Sequence, residues 1–334
     1  MNIPAKLQKG DTIGICSPSS PVAAYCPRRL KRGIEELKHL GFKVKVGEHT
    51  RRAMEYMAGS IDDRVADLHE LFKDPEVKAI ITTIGGTCSH QLLEKLDYGL
   101  IREHPKIFMG YSDITALHTA IYTKTGMTTY LGPAILPQFG EYGGILPYTK
   151  EYFLKTLVEG EKIEYQHSDH MIMEHLWWDE EDDRPRQGIT NGGPSIINEG
   201  SAEGRVFAGN VGTLLLLAGT DYFPDLEGSI LFIEDDPEET PSSIDRYLTQ
   251  LRHLGVYSKI SGLVIGRFHE NVGFKEDQLS SMVKRVTEGY TFPIVTDLDF
   301  GHTDPMFILP NGIRCRLRAG TDGVHLRLLE HPVT

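Results

Sequence analysis

Cysteine is scarce in this chain. The four at positions 16, 26, 88 and 315 of 334 residues are scattered, with no C-x-x-C pair and no Cys/His spacing suited to zinc, so reduced thiols are expected and neither a disulfide framework nor a structural metal. Positive charge is also in deficit: 35 Lys and Arg stand against 47 Asp and Glu, a formal net charge of −12, and no basic run appears. That balance argues against a nucleic-acid polymer or an anionic membrane as partner. No apolar run approaches the ~18 residues of a membrane span, and Met1–Lys6 lacks the apolar core of a signal peptide, so a cytoplasmic protein is expected. Both tryptophans fall side by side, at 177 and 178.

What is present is ordinary globular material, 40% hydrophobic and long enough for two domains. The first part alternates short apolar runs with amphipathic stretches, the pattern of a parallel sheet covered by helices. Thr12–Cys16 reads as a buried strand, and Leu30, Ile34, Leu37 and Leu40 recur at helical spacing up to Gly41. Val44 and Val46 mark a second strand, and Ser60 with Asp63 forms a capping box before Val65, Leu68, Leu71 and Phe72. Ala79–Ile84 closes in Gly85-Gly86 and is followed by a helical pattern through Leu92, Leu93 and Leu96. Lys106–Met109 closes in Gly110-Tyr111-Ser112-Asp113, before a helix with Ile114, Leu117, His118 and Ile121 on one face. The fold class is therefore α/β, divided into an N-terminal domain over 1–140, an irregular connection with a Trp-bearing loop over 141–204, and a second α/β domain over 205–334.

Ligands of an open parallel sheet sit outside the carboxyl ends of its strands, where both glycine-bearing turns lie. Ser112, in a sharp strand-to-helix turn, is a candidate nucleophile, with the Asp113 N–H and the Gly85-Gly86 backbone as donors to a developing oxyanion; the alternative is a serine that caps its helix. His302, in the Gly- and Pro-bounded loop Gly301–Pro305, is a candidate base. Glu234-Asp235-Asp236, at the end of another apolar strand, suits either orientation of a histidine or Mg²⁺ binding.

Ile84-Gly85-Gly86, Gly110-Tyr111-Ser112-Asp113, Ile233-Glu234-Asp235, Ile244–Leu248, Gly262–Gly266 and Gly301–Pro305, in this order, resemble the LD-carboxypeptidase family of serine peptidases, which includes the microcin C immunity proteins. The resemblance runs from Gly10-Asp11 to the final strands. It implies a Ser112–Glu234–His302 triad, an oxyanion hole from the N–H groups of Gly86 and Asp113, no metal and no cofactor. It also implies a flavodoxin-like N-terminal domain, a swivelling-type C-terminal domain and a homodimer.

Two branches of that family imply different small-molecule substrates. One removes D-alanine from muropeptide tetrapeptides; the other cleaves the amide joining an aminoacyl or peptidyl group to a nucleotide. A purine offers a flat face for an aromatic platform. Leu176–Glu181, with Trp177 and Trp178 among acids, looks like the Trp-bearing insertion of the immunity branch, and this reading is favoured. Glu270 is a candidate for the substrate's α-amino group, Thr87 and Ser89 for contacts beside the glycine turn, and Asn210 for a contact at a strand end. Rival readings make Cys88 the nucleophile, or make Ile15–Ser20 the ligand loop of a non-catalytic nucleotide or sugar-phosphate binding protein.

Overall fold

The computed structural model describes residues 2–334. Its first sheet is built from β1 (Thr12–Cys16), β2 (Lys43–Val46), β3 (Val77–Thr82), β4 (Ile107–Gly110) and β5 (Tyr130–Leu131), mutually parallel in the order 2-1-3-4-5. That is the flavodoxin-like order. Helices α1 (Val22–Tyr25), α2 (Pro27–His39), α3 (Ile61–Lys73), α4 (Tyr98–Glu103) and α5 (Thr115–Thr125) make the crossovers. β1 and β4 are apolar runs buried on both faces, whereas β2 is an edge strand whose residues alternate between exposed and half-buried. The Ser60 box forms as expected: its hydroxyl accepts from Asp63 N at 3.1 Å and the Asp63 carboxylate accepts from Ser60 N at 3.0 Å.

One expectation is corrected here. No α-helix follows Gly85-Gly86; Ser89–Leu92 is a short 3₁₀ turn, because the N–H groups of Cys88 and Ser89 are drawn to the Asp113 carboxylate instead of into a helical ladder. α5 does not expose an outer face along its first two turns: Thr115 to Ile121 are all buried, since the helix is wedged between the first sheet and the second half of the chain.

The stretch after residue 140 is less irregular than its composition suggests. It holds α6 (Pro147–Leu154) and the short strands β6 (Glu164–Tyr165), β7 (His170–Ile172), β8 (Gly188–Thr190) and β9 (Ser195–Asn198). Beyond it run β10 (Gly200–Asn210), α7 (Val211–Leu216), β11 (Ser229–Glu234), α8 (Pro241–His253), β12 (Gly262–Gly266), α9 (Gln278–Val286) and β13 (Ile294–Leu298). β14 (Leu309–Pro310), β15 (Arg314–Gly320) and β16 (Gly323–Leu328) complete the chain. The second sheet has the order 6-16-15-10-11-12-13-9, with β10 to β13 parallel and the outer strands antiparallel. β14 leaves this half and pairs antiparallel with β5 of the first sheet. One apolar core then joins Tyr111, Leu131 and Ala134 to Val206, Phe232, Val264 and Phe300, so the two sheets share buried surface. Among the described residues no helix is long and apolar enough to cross a membrane.

Candidate active site

The carboxyl ends of β1, β3 and β4 bring three loops together, and Ser112 stands in the last of them. Tyr111 is extended, Ser112 has φ +64°, and a 3₁₀ turn over Ser112–Ile114 leads into α5. A left-handed backbone costs a non-glycine residue about 1–2 kcal/mol, so surrounding contacts must hold it. One lies behind the turn, where His118 Nε2 is 2.9 Å from Gly110 O. A carbonyl only accepts, so Nε2 carries the proton, and burial pulls this imidazole down to about 4 against the opposing effect of that bond. Ser112 itself is half-buried between buried neighbours, so its hydroxyl is reachable.

Gly85 lies directly over the serine. A Cβ at residue 85 would stand 2.8 Å from Ser112 Cβ, 2.9 Å from its Oγ and 3.1 Å from Asp113 N. Only glycine permits that approach. The side chain of Asp113 then ties the loops to one another: its Oδ2 accepts from Ser19 Oγ at 2.6 Å, Ser89 N at 2.8 Å and Cys88 N at 3.0 Å. Gly86 and Thr87 remain exposed at the rim.

From the second sheet, the ends of β11 and β13 contribute Glu234 and the loop of His302. His302 Nδ1 lies 2.5 Å from Glu234 Oε2, and its ring meets Tyr111 edge-on with centroids 5.0 Å apart, which sets the imidazole beside the serine turn. Gly301, at φ +100°, gives way to the carboxylate, since a Cβ there would be 2.6 Å from Glu234 Oε2. Burial alone would lower the imidazole pKa; the charge and hydrogen bond of Glu234, with Asp236 and Asp235 behind, outweigh it and push the value up to about 9. The other ring nitrogen, Nε2, is 3.4 Å from Asp236 Oδ2.

The three consecutive acids separate in space. Glu234 takes the histidine, while Asp235 accepts from Asn210 Nδ2 at 2.7 Å and from Gly212 N at 3.0 Å. Burial and the neighbouring Glu234 charge raise Asp235 to about 7, against the pull of its hydrogen bonds. This division favours the histidine-orienting alternative over an Mg²⁺ cluster.

Several candidates turn inward. Ser89 is fully buried and donates to Asp113 O at 2.6 Å, and Asn210 caps α7 through Thr213 N at 2.9 Å while holding Asp235, so the structure engages the polar atoms of both inside the framework. Cys88 is fully buried, its sulfur 3.2 Å from Arg64 Nη1, whereas Ser112 is only half-buried; the geometry disfavours the thiol as nucleophile. Ser17 and Ser19 also spend their hydroxyls internally, on Thr50 O and on Asp113. That leaves the Ser17–Ser20 turn poorly suited to cradle a phosphate.

The Trp-bearing loop is clamped down by residues whose partners lie far away in sequence. Asp179 accepts from Arg28 N at 2.6 Å and Arg29 N at 2.8 Å, capping the open N-terminus of α2, where Cys26 offers no side-chain cap. Asp182 is buried and paired with Arg29 and Arg32. The Arg29 guanidinium lies 4.4 Å from the Trp178 ring centroid, so Trp178 is half-buried, while Trp177 keeps 64% of its surface exposed. At the near end of the loop, His269 Nε2 donates to Met173 O at 2.7 Å, which ties the loop to the turn of the exposed Glu270. Sequence reasoning passed over Arg186, which bonds both Glu141 and Asp304. Its setting, Asp182-Asp183-Arg184-Pro185-Arg186, reads in the sequence as an ordinary solvated loop.

A parallel-sheet turn presenting a serine, with a carboxylate-bound histidine beside it, defines a serine hydrolase. Family models agree: the LD-carboxypeptidase N-terminal domain matches residues 13–132 and the C-terminal domain 203–317. The chain belongs to the LD-carboxypeptidase family of serine peptidases. It is 41% identical to the putative carboxypeptidase YocD of Bacillus subtilis, over 94% of this chain and 95% of that one. To the microcin C7 self-immunity protein MccF of Escherichia coli it is 35% identical, over 93% and 91%. It is equally 35% identical to a probable murein peptide carboxypeptidase of B. subtilis, over 94% and 91%. Among solved structures, an MccF-like protein from Bacillus anthracis superposes with a TM-score of 0.94 at 40% identity, covering 99% of this chain and all of that one. MccF in complex with aspartyl sulfamoyl adenosine gives 0.92 at 32% identity, each chain covered in full.

Proposed function

We propose that this enzyme hydrolyses the amide joining an aminoacyl or peptidyl group to a nucleotide, with Ser112 as nucleophile, His302 as base and then acid, and Glu234 as the orienting carboxylate. The observation that carries the reading is a positive-φ serine under a glycine backbone, beside an imidazole whose Nδ1 is 2.5 Å from a buried carboxylate. Glu234 fixes the proton on Nδ1, which leaves the Nε2 lone pair to take the Ser112 proton as Oγ attacks the carbonyl carbon. The oxyanion forms against the N–H groups of Gly86 and Asp113. Nε2 returns its proton to the departing amine, and water, deprotonated by the same nitrogen, hydrolyses the acyl-enzyme. This chemistry needs no metal or cofactor.

On the substrate side, Trp177 supplies an exposed indole as platform for the base, since Trp178 is committed to Arg29. Glu270, held beside the Trp loop through His269, takes the α-amino group, and Thr87 lines the rim next to Gly86. The complex of MccF with aspartyl sulfamoyl adenosine supports this choice. The second reading, release of D-alanine from muropeptide tetrapeptides, is favoured by the equally similar murein peptide carboxypeptidase.

The test compares aminoacyl sulfamoyl adenosine with a muropeptide tetrapeptide, using wild type and Ser112→Ala. Cleavage of the nucleotide conjugate by wild type alone is expected. D-alanine release with the conjugate intact would replace the first reading by the second.

A further inference from the structure

The loop that carries His302 is gripped by two arginines, Arg267 buried and Arg186 largely so. On one side Arg267 pairs with Asp299 and donates to Thr303 Oγ1 at 3.2 Å. On the other stands Arg186, at the far end of the Trp-bearing loop, with Nη2 2.6 Å from Asp304 Oδ2 and Nε 2.7 Å from Glu141 Oε2. The second oxygen of Asp304 accepts from Gln138 Nε2 at 3.2 Å, and the same Nε2 lies 3.3 Å from the hydroxyl of Tyr111. Tyr111 precedes Ser112 and packs edge-on against His302. Asp304 follows His302 by two residues. Bonded groups thus run from the Trp loop to both sides of the reacting pair.

Glu141 extends the connection to the tryptophan itself. Its Oε2 also accepts from Arg29 Nη2 at 3.1 Å, and Arg29 is the cation lying on Trp178. With only 14% and 9% of their side chains exposed, Arg186 and Asp304 form an ion pair that loses much of its compensation if either partner goes.

We propose that Arg186 is a positioning residue: by holding Asp304 it fastens the His302 loop to the Trp-bearing loop, so that a docked Trp loop sets the imidazole against Ser112. This rests on the Ser112–His302 assignment above and not on the identity of the substrate. Loops that complete a catalytic constellation when they dock are a general device, and misplacement by about 1 Å suffices to cost about 100-fold in rate.

The test uses Asp304→Asn, which keeps the shape but turns an amide toward a donor, and Arg186→Met. Two rates are read: kcat per titrated active site on whichever of the nucleotide conjugate and the muropeptide wild type cleaves, and labelling of Ser112 by a small fluorophosphonate that makes no use of the Trp loop. Both are expected to fall together by about 10-fold or more, with KM moving by less than about 3-fold. The double variant should be no slower than Asp304→Asn alone, because the two residues act as one unit. Gln138→Met cuts the same chain without stranding a charge and carries the test if the charged variants do not fold. Labelling and per-site kcat within about twofold of wild type, even with a lowered Tm, would overturn the proposal as a merely structural pair. Wild-type protein that resists labelling at Ser112 would instead sink the serine-hydrolase assignment, and the proposal with it.

Discussion

Arg29 and Trp178 form a cation–π contact, guanidinium to ring centroid 4.4 Å, and this one pairing divides the labour of two adjacent tryptophans. Trp178 packs half-buried against the N-terminal core while Trp177 presents its ring to solvent. Trp177→Ala should therefore raise KM for a nucleotide conjugate by about 5- to 150-fold, the equivalent of ~1–3 kcal/mol of base stacking, with little change in Tm. Trp178→Ala should cost about 1 kcal/mol of stability from the cation–π contact and packing. Steady-state kinetics and denaturant melts of the two variants separate these effects, and the reverse pattern would exchange their roles.

The Glu234–His302 pair makes both activity and stability depend on pH, and the sign follows from the raised imidazole pKa. His302 moves from 6.5 to about 9, so the stabilisation from its charged form is fully present below about 6.5 and is lost as pH rises through about 9. A base must be neutral to accept the serine proton, so kcat/KM should rise with pH through the same raised value. Glu234→Gln removes the charge that holds the imidazole up. Its pH–rate inflection should move downward, and its unfolding free energy should vary less than wild type between pH 6 and pH 9. An inflection that stays in place would remove Glu234 as the partner.

Legibility in the sequence followed the range of the interaction. β1, β3, β4 and the Ser60 box were readable because apolar runs and caps act over a few residues. The positions of Ser112, Glu234 and His302 at or beyond strand ends were readable from the apolar runs that precede them. The absent helix after Gly86 was not, because the leucine spacing at 92, 93 and 96 fits a helix while the deciding bonds come from Asp113, 24 and 25 residues away. Asn210 shows a cap signature, an Asn just before an apolar run, and it caps α7 accordingly. The acids around Trp178 suggested a solvated loop. Their compensating arginines, 29 and 32, stand 150 residues or more from Asp182.

Gly85 offers a steric test of the site that leaves the charges alone. Its backbone has no positive φ, so alanine is conformationally permitted there, yet the new methyl would sit 2.9 Å from Ser112 Oγ and 3.1 Å from Asp113 N. Gly85→Ala should still fold, at a cost of about 1–3 kcal/mol for the crowded contact, and lose about 10²–10³-fold in kcat, comparable to the loss of one oxyanion donor. A full-activity Gly85→Ala enzyme would show that the serine turn operates in a different geometry.

Asp179 joins two demands that substitution can separate. It caps α2 from outside through Arg28 N and Arg29 N, and it does so from a left-handed backbone at φ +61°. Alanine loses the cap, about 1 kcal/mol, and retains the unfavourable φ, about 1 kcal/mol more. Glycine loses the cap but accepts the backbone, and asparagine keeps an acceptor oxygen and tolerates the left-handed region. The expected order of stability is wild type, Asn, Gly, Ala, measured by urea unfolding. The same order should appear in catalysis, because an undocked Trp loop presents Trp177 poorly: KM for the nucleotide conjugate should climb from Asn to Ala. Equal stability of the Gly and Ala variants would mean that the loop relaxes out of the left-handed turn once the cap is gone.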